Sequence, residues 1–254
     1  MSLRAAEQLR SELPTLVFTP DRLAVVKSGP AVRRAYFDRT LGRLFPARSD
    51  VPLRYGEALG QRNACLRKAA AGFSSRDALA PWTEQVLALG SALQRLREET
   101  LAALSPKFSE AAAALGLPSC RLEYVGEPLT AEALERRLVR DLERGTTGLG
   151  PHLDEIAVLA DTRDLRVFGS QGEQRIAVLA LLLAEAELLT ETAETSPLLL
   201  LDDVLSELDL DRRLALVAWI GRVAQTVVTA TSERSLPLEP SQLVRVEPGI
   251  AEVA

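Results

Sequence analysis

The chain has 254 residues, of which 47% are hydrophobic and 26% are charged, and its formal net charge is −5 at pH 7. This length and composition allow a sizeable buried core and predict one large domain or two smaller ones. The longest uninterrupted apolar run, residues 176–184, is far shorter than the ~20 residues that cross a bilayer. The first residues show no signal-peptide pattern, so we expect a cytoplasmic protein without a membrane span.

Positive charge is concentrated towards the amino terminus. Residues 1–80 contain 14 Lys and Arg against 7 Asp and Glu, whereas residues 81–254 contain 16 against 28. This asymmetry fits a surface for nucleic acid or an acidic partner, and it fits solvated helix faces equally well. The cysteines, Cys65 and Cys120, form no short-spaced metal pattern and are most simply two reduced thiols.

The first half of the chain is predicted to be mainly helical. Residues 13–18 are β-prone and predict one short strand before the helices. Pro30 stands at the first position of a predicted helix, a place that proline favours. Further helices are predicted over residues 49–70 and 78–115, the second with leucines at helical spacing and a break near Ser105 and Pro106.

From residue 120 onward the pattern becomes mixed α/β. Strands and helices that alternate along the chain favour parallel strands joined by crossover helices. The last two β-prone runs, residues 243–246 and 250–253, are expected to complete the sheet. The predicted elements before them are strand 121–125, helix 130–143, a hairpin of 155–159 with 165–168, helix 172–191, strand 198–202, helix 209–221 and strand 225–230.

Two adjacent acids end the strand made of four leucines. A fully apolar strand is expected to be buried on both faces, so Asp202 and Asp203 lie at its carboxyl edge, where open α/β sheets bind ligands. One carboxylate there suits Mg²⁺, and a second can orient or deprotonate an attacking water. A core strand with polar residues at its end explains the same pattern about equally well.

A second polar motif stands at the start of the preceding helix. Ser170 followed by Glu173 predicts a capping box, in which each side chain accepts a backbone N–H of the other residue. The free N–H groups of this helix start, the Ser170 hydroxyl and Gly172 also suit an anion. The two interpretations are compatible.

The order and spacing of these motifs resemble the signature, Walker B and D-loop series of ABC-type ATPases, with residues 206–209 as the D-loop. The resemblance is more specific to the RecF family of bacterial recombination-mediator ATPases. It implies the carboxyl-terminal half of an ABC-type α/β head with an α-helical arm: a lobe remnant over 1–18, the arm over 19–119 and the α/β half over 120–254. The motifs that carry it are residues 20–21, 29–30, 33–34, 38, 143–147, 150–152, 168–172 and 201–204.

By this resemblance, Asp202 would face Mg²⁺ and Asp203 would activate water for ATP hydrolysis. The nucleotide would lie between two heads of an ATP-dependent homodimer. The residues implied to contact that ATP are Ser170, Gln171, Gly172, Ser206 and Asp209.

The sequence departs from the family pattern in several places. No Gly-Lys pair occurs in it, so the phosphate loop G-x-x-x-x-G-K-[ST] is absent and the chain alone is not expected to hydrolyse ATP. A separate polypeptide could supply that loop, or the chain could be a non-hydrolysing DNA- or partner-binding module. Leu153 replaces a basic residue that is usual in the family, and His152 and residues 229–231 receive no role.

The resemblance also implies DNA, single-stranded or gapped, and recombination-mediator partners. Phosphate contacts from the basic end of the chain would be largely independent of sequence and sensitive to salt. A solvated helix face, with a general preference for arginine, is the alternative explanation of the same charges. The candidate contacts are Arg33, Arg34, Arg62, Arg67 and Lys68.

Overall fold

The computed structural model describes residues 14–192, 196–221, 225–232, 236–237 and 239–253. Most of the predicted lobe remnant, residues 1–13, lies outside them. The helices are α1 Ala24–Lys27, α2 Pro30–Leu44, α3 Val51–Ala70, α4 Ala80–Ala114, α5 Ala131–Arg144, α6 Leu165–Phe168, α7 Gln171–Thr192 and α8 Leu210–Ile220. The strands are β1 Thr15–Phe18, β2 Cys120–Val125, β3 Glu155–Ala160, β4 Arg163–Asp164, β5 Leu198–Leu201, β6 Thr226–Val228, β7 Val244–Glu247 and β8 Ile250–Val253.

Strand β5 lies at the centre of a parallel sheet. It pairs with β1 on one side, Phe18 opposite Leu201, and with β6 on the other, Val228 opposite Leu201. Helix α8 makes the crossover between β5 and β6, which confirms the prediction of parallel strands joined by a helix. Leu199 and Leu201 are buried, whereas the alternate leucines of β5 are half-buried. Because Phe18, Leu201 and Val228 are partners in parallel strands, all three strands end at the same edge of the sheet.

Helix α7 is the centre of the main hydrophobic core. Nearly every residue from Ile176 to Leu189 is buried, as expected for a helix that is apolar on all sides. Its main neighbour is α4, and the strand pair β2–β3 contributes buried side chains to the same core. Because α4 shares this core, the mainly helical first half of the chain packs directly on α7, the helix that follows Ser170.

Helix α4 runs through Pro106 without a break, so the predicted interruption near Ser105 and Pro106 is wrong. A proline inside a helix removes one backbone hydrogen bond and costs about 3 kcal/mol. Leu104 and Phe108 on either side are both fully buried. Burying two such side chains contributes roughly 1.5–3 kcal/mol each, enough to offset that cost.

Two predictions about strands are also corrected. Residues 165–168 form helix α6, because the Asp164 carboxylate accepts the Arg166 N–H at 2.8 Å and caps a helix start. The last two strands, β7 and β8, pair with each other through a turn at Gly249, whose φ is +84°. They form a separate two-stranded sheet and do not extend the parallel one. Among the described residues, no helix is long and apolar enough to cross a membrane.

Candidate functional site

The two acids after β5 occupy the carboxyl edge of the sheet. The Asp202 N–H donates to Phe18 O at 3.0 Å and so continues the pairing with β1. Asp203 then has φ +47°, a left-handed conformation that is uncommon for residues other than glycine but tolerated by aspartate. This turn takes the chain away from the sheet directly after Asp202.

Thr229 is hydrogen-bonded through its hydroxyl to both Asp202 and Asp203. Its N–H donates to Leu201 O at 2.9 Å, which places it beside the end of β5. Its hydroxyl donates to Asp202 Oδ1 at 2.7 Å and accepts the Asp203 N–H at 3.0 Å. No role for Thr229 was predicted from the sequence. A signal was present, because a hydroxyl residue directly after a strand parallel to β5 is expected to lie beside whatever follows β5.

The Asp203 carboxylate has an unused hydrogen-bonding position. Its Oδ1 is buried and has no hydrogen-bond partner among the described residues. A buried acceptor of this kind is costly unless a ligand or water brings a donor, so the geometry fits a carboxylate that receives a water. The Asp203 carbonyl accepts the Ser206 hydroxyl at 3.0 Å. The predicted nucleotide contact Ser206 thus supports the backbone of Asp203.

The two carboxylates at this edge suit a cation whose other ligands are water and phosphate oxygens. Within the described part of the chain, no group of three or more His, Cys, Asp or Glu side chains is arranged to hold a metal ion. Asp202 is exposed, and Mg²⁺ is commonly held by one or two carboxylates with water and phosphate oxygens completing its shell. Asp202 and Asp203 are compatible with that mode of binding.

The start of α7 forms the predicted capping box. Ser170 Oγ accepts the Glu173 N–H at 3.2 Å, and Glu173 Oε2 accepts the Ser170 N–H at 2.7 Å. That backbone hydrogen bond is the main cause that lowers the Glu173 pKa. Gly172 leaves the surface open, because a Cβ there would meet only Ser170 Oγ, at 4.0 Å. Gln171 is exposed.

The capping box opens onto a surface pocket of about 410 Å³. Arg163, the first residue of β4, and Arg212 from α8 line it together with Ser170 and Gly172. Asp209, a predicted nucleotide contact, caps α8 by accepting the Arg212 N–H at 3.0 Å. Asp202 and Asp203 do not line this pocket. The structure therefore groups the signature-like residues with α8 and leaves the acid pair as a separate site.

Two of the predicted DNA contacts are internal, and that prediction is corrected. Arg33 is 2% exposed, and its guanidinium donates to both Glu155 oxygens at 2.8 Å. Arg62 is 1% exposed and donates to Asp141 at 3.0 Å and to Thr147 at 2.6 Å. Guanidinium groups that are buried and paired in this way are not accessible to phosphates.

The remaining basic candidates differ in exposure. Arg34 is half-buried and donates to Asp154 O at 2.7 Å, and burial is the main cause that lowers its pKa. Arg67 and Lys68 are both exposed near the end of α3. The aliphatic part of Arg67 lies across Gly145, the residue that ends α5. Contact with DNA stays a prediction for these three residues.

His152 and the cysteines are packed into the protein. His152 Nε2 lies 3.0 Å from Thr147 O, which only accepts, so Nε2 carries the proton and Nδ1 accepts from the Tyr55 hydroxyl at 2.7 Å. Burial is the main cause that lowers the His152 pKa. Burial also raises the Cys120 pKa to about 12, so that thiol stays protonated. These features favour structural roles.

Comparison with solved structures defines the class of the protein. The Smc head bound to the C-winged helix domain of ScpA superposes with a TM-score of 0.51 over 94% of this chain and 54% of that one, at 15% identity, and so shares the fold. The recombination mediator protein RecF with ATP, of the RecFOR pathway, superposes with a TM-score of 0.81 at 26% identity over 96% of this chain and 68% of that one. The chain therefore has the mixed α/β fold that the Smc head and RecF share.

Sequence comparison narrows this class to one family. The DNA replication and repair protein RecF of Heliobacterium modesticaldum is 34% identical over 96% of this chain and 68% of that protein. RecF of Lachnoclostridium phytofermentans is 35% identical over 90% of this chain and 65% of that protein. No family model matches the chain. The chain belongs to the RecF family, and it spans about two thirds of the length of these relatives.

Proposed function

We propose that this chain contributes the Walker B acids, the signature-like helix start and the helical arm of a RecF-type ATPase that acts in cytoplasmic DNA replication and recombinational repair. The observation that carries the proposal is the acid pair at the carboxyl edge of β5, in a chain of this family. Oδ1 of Asp203 is buried there and has no hydrogen-bond partner among the residues that the structure describes. DNA, single-stranded or gapped, and recombination-mediator proteins are the proposed partners.

The proposed roles follow the geometry of the edge. Mg²⁺ and ATP would supply charge screening and the bond to be hydrolysed. Asp202 would lie on the Mg²⁺ side, while Asp203 would orient or deprotonate the attacking water. Ser170, Gln171 and Gly172 would face the ATP of a second head in an ATP-dependent homodimer, with Ser206 and Asp209 at the same interface.

Mixing with the missing phosphate loop tests the ATPase role. The 254-residue chain alone should release no phosphate from ATP above the background. Addition of a polypeptide that carries the phosphate-loop portion of the Heliobacterium modesticaldum relative should restore turnover. In that mixture Asp203→Asn should lower the rate by about 10²–10³-fold, the range seen when one well-placed catalytic group is lost. An unchanged rate in the Asp203→Asn mixture would contradict the assignment.

The second candidate function is a DNA-binding module without ATP turnover, favoured by the absence of a Gly-Lys pair and by the exposed Arg67 and Lys68. A labelled gapped duplex should then bind in a salt-sensitive manner, and ATP should change nothing. If both residues contact phosphates, changing Arg67→Gln together with Lys68→Gln should reduce the salt slope by about 2. Arg95→Gln, at an exposed position of α4, is the matched control and should leave the slope unchanged.

A further inference from the structure

We infer that Thr229 is a positioning residue for the acid pair, which holds the Asp202 carboxylate and the Asp203 backbone in the arrangement that a divalent cation requires. This inference rests on the proposed function, since it assigns the cation to Asp202. It concerns a residue for which the sequence motifs gave no role.

The sheet itself brings Thr229 to this place. Leu201, the last residue of β5, pairs with Val228, the last residue of β6. Thr229 therefore stands level with Asp202, and its N–H donates to Leu201 O at 2.9 Å. Because the pairing of β5 with β6 holds the backbone of Thr229 in place, any role beyond this pairing belongs to its side chain.

The direction of each hydrogen bond follows from the chemistry of the groups. The Asp203 N–H is a donor only, so Thr229 Oγ1 must accept it, at 3.0 Å. The single hydroxyl proton then points to Asp202 Oδ1, at 2.7 Å. Linked bonds of this kind polarise each other and hold both ends more firmly than separate bonds. Asp202 is exposed, and no hydrogen bond to its Oδ2 is found in the described part of the chain, so that oxygen is available to a cation.

Thr229 also stabilises the unusual backbone of Asp203. The left-handed conformation at this residue, with φ +47°, is uncommon for residues other than glycine, although aspartate tolerates it. The Thr229 hydroxyl accepts the Asp203 N–H, and the Ser206 hydroxyl donates to the Asp203 carbonyl at 3.0 Å. Both backbone groups of Asp203 are thereby bound by hydroxyl side chains. The same turn sets the direction of its carboxylate.

A role as a simple strand cap would need less than this. Capping the end of the sheet requires only that Thr229 accept the Asp203 N–H. The main-chain bond from residue 229 to Leu201 would form with valine or serine at this position as well. The bond from the hydroxyl to the Asp202 carboxylate is the part that a cap does not explain. It is also the part that a cation site needs, because a carboxylate held in one orientation loses less freedom when the cation binds.

Cation affinity at Asp202 tests whether the Thr229 hydroxyl positions the acid pair for a cation. The ¹⁵N-labelled 254-residue chain is titrated with Mn²⁺ alone, and the paramagnetic broadening of the amide signals of residues 201–204 gives the local affinity. We expect Thr229→Val, which keeps the shape and removes the hydroxyl, to weaken this affinity by about tenfold, because a carboxylate that is no longer held must be immobilised when the cation binds. Thr229→Ser should stay within about twofold of the unmodified chain.

Asp202→Asn is the reference for the site and should abolish the local broadening. If Asp202→Asn abolishes it while Thr229→Val leaves the affinity unchanged, the inference is wrong and the cation site stands. If the unmodified chain shows no local broadening that depends on Asp202, the assignment of the cation fails and the inference fails with it. Thr229→Ala replaces the valine variant if amide signals far from the edge show that the latter does not fold.

Discussion

The arginines of the helical region and the acids after β5 are both charged clusters, and their surroundings differ. Arg33 pairs with Glu155, Arg62 pairs with Asp141, and in each pair the arginine is almost fully buried. Asp202, by contrast, is exposed, and Oδ1 of Asp203 is buried without a hydrogen-bond partner in the described part of the chain. The first cluster is complete within the chain, whereas the second has capacity for a ligand.

This difference explains part of the charge asymmetry in the sequence. Basic residues of the amino-terminal third pair with acids of the α/β region, and a third case is Arg43 with the fully buried Glu185 of α7, at 2.6 Å. Some of the excess positive charge of residues 1–80 therefore forms internal ion pairs with acids of the mixed α/β part of the chain. An arginine-rich segment is a weaker indication of nucleic-acid binding when the rest of the chain is acidic.

Asp141→Asn should have the largest effect on stability and tests whether the first cluster is structural. The pair with Arg62 is 1% and 2% exposed, so this change leaves a buried guanidinium without its counter-charge. We expect the free energy of unfolding to fall by about 3–5 kcal/mol, measured by urea denaturation. Glu135→Gln, at an exposed position of the same helix, should change it by less than about 0.5 kcal/mol. A small effect of Asp141→Asn on stability would remove the contrast between the two clusters.

Asp203→Asn should act in the opposite direction on stability. Asparagine also tolerates the left-handed conformation, and the change removes the repulsion between two adjacent carboxylates. We expect the free energy of unfolding to stay the same or to rise by up to about 1 kcal/mol, as is common when a functional site loses its function. The same denaturation assay checks this, and a loss as large as that of Asp141→Asn would show that the acid pair is structural.

The pH dependence of stability gives the smallest expected effect and concerns His152, the single histidine of the chain. Burial lowers its pKa in the folded state below the ordinary value of about 6.5, so the unfolded chain takes up a proton first. Stability from this group is complete above about pH 6.5 and decreases as the pH falls towards the folded pKa, by at most about 1.4 kcal/mol per pH unit.

The measurement is the free energy of unfolding between pH 7.5 and pH 5.5. His152→Gln should flatten the profile over this range, because it removes the titrating group. Tyr55→Phe is the matched control, since it removes the hydrogen-bond partner at Nδ1 and retains the histidine. A chain that becomes more stable on acidification in this range would contradict the lowered pKa.

Much of the fold could be predicted from local patterns. The helix beginning at Pro30, the apolar helix after Ser170 and the parallel strands around β5 follow from proline placement, capping chemistry and periodicity. The path through Pro106 could not, because it depends on the burial of neighbours far apart in sequence. The same is true of residues 165–168, where a cap at Asp164 outweighs β propensity.

The site was predictable only where the motif is contiguous. Asp202 and Asp203 follow a strand directly, so their position at the sheet edge could be inferred from the sequence. Thr229 lies on another strand, and its contacts depend on the register between β5 and β6. For arginines the difficulty is greater, because the sequence does not show that Glu155 and Asp141 lie where Arg33 and Arg62 point.

The pairing of β1 with β5 has a consequence for the synthesis of the protein in the cell. Thr15 pairs with Leu198, and the helical region and the β2–β4 sheet lie between them in the chain. At ~5–20 residues per second, a ribosome needs on the order of ten to forty seconds to make that stretch. During this time β1 has emerged and its partner strand does not yet exist. The sheet that carries the acid pair can therefore close only late in translation, after the helices have had time to fold.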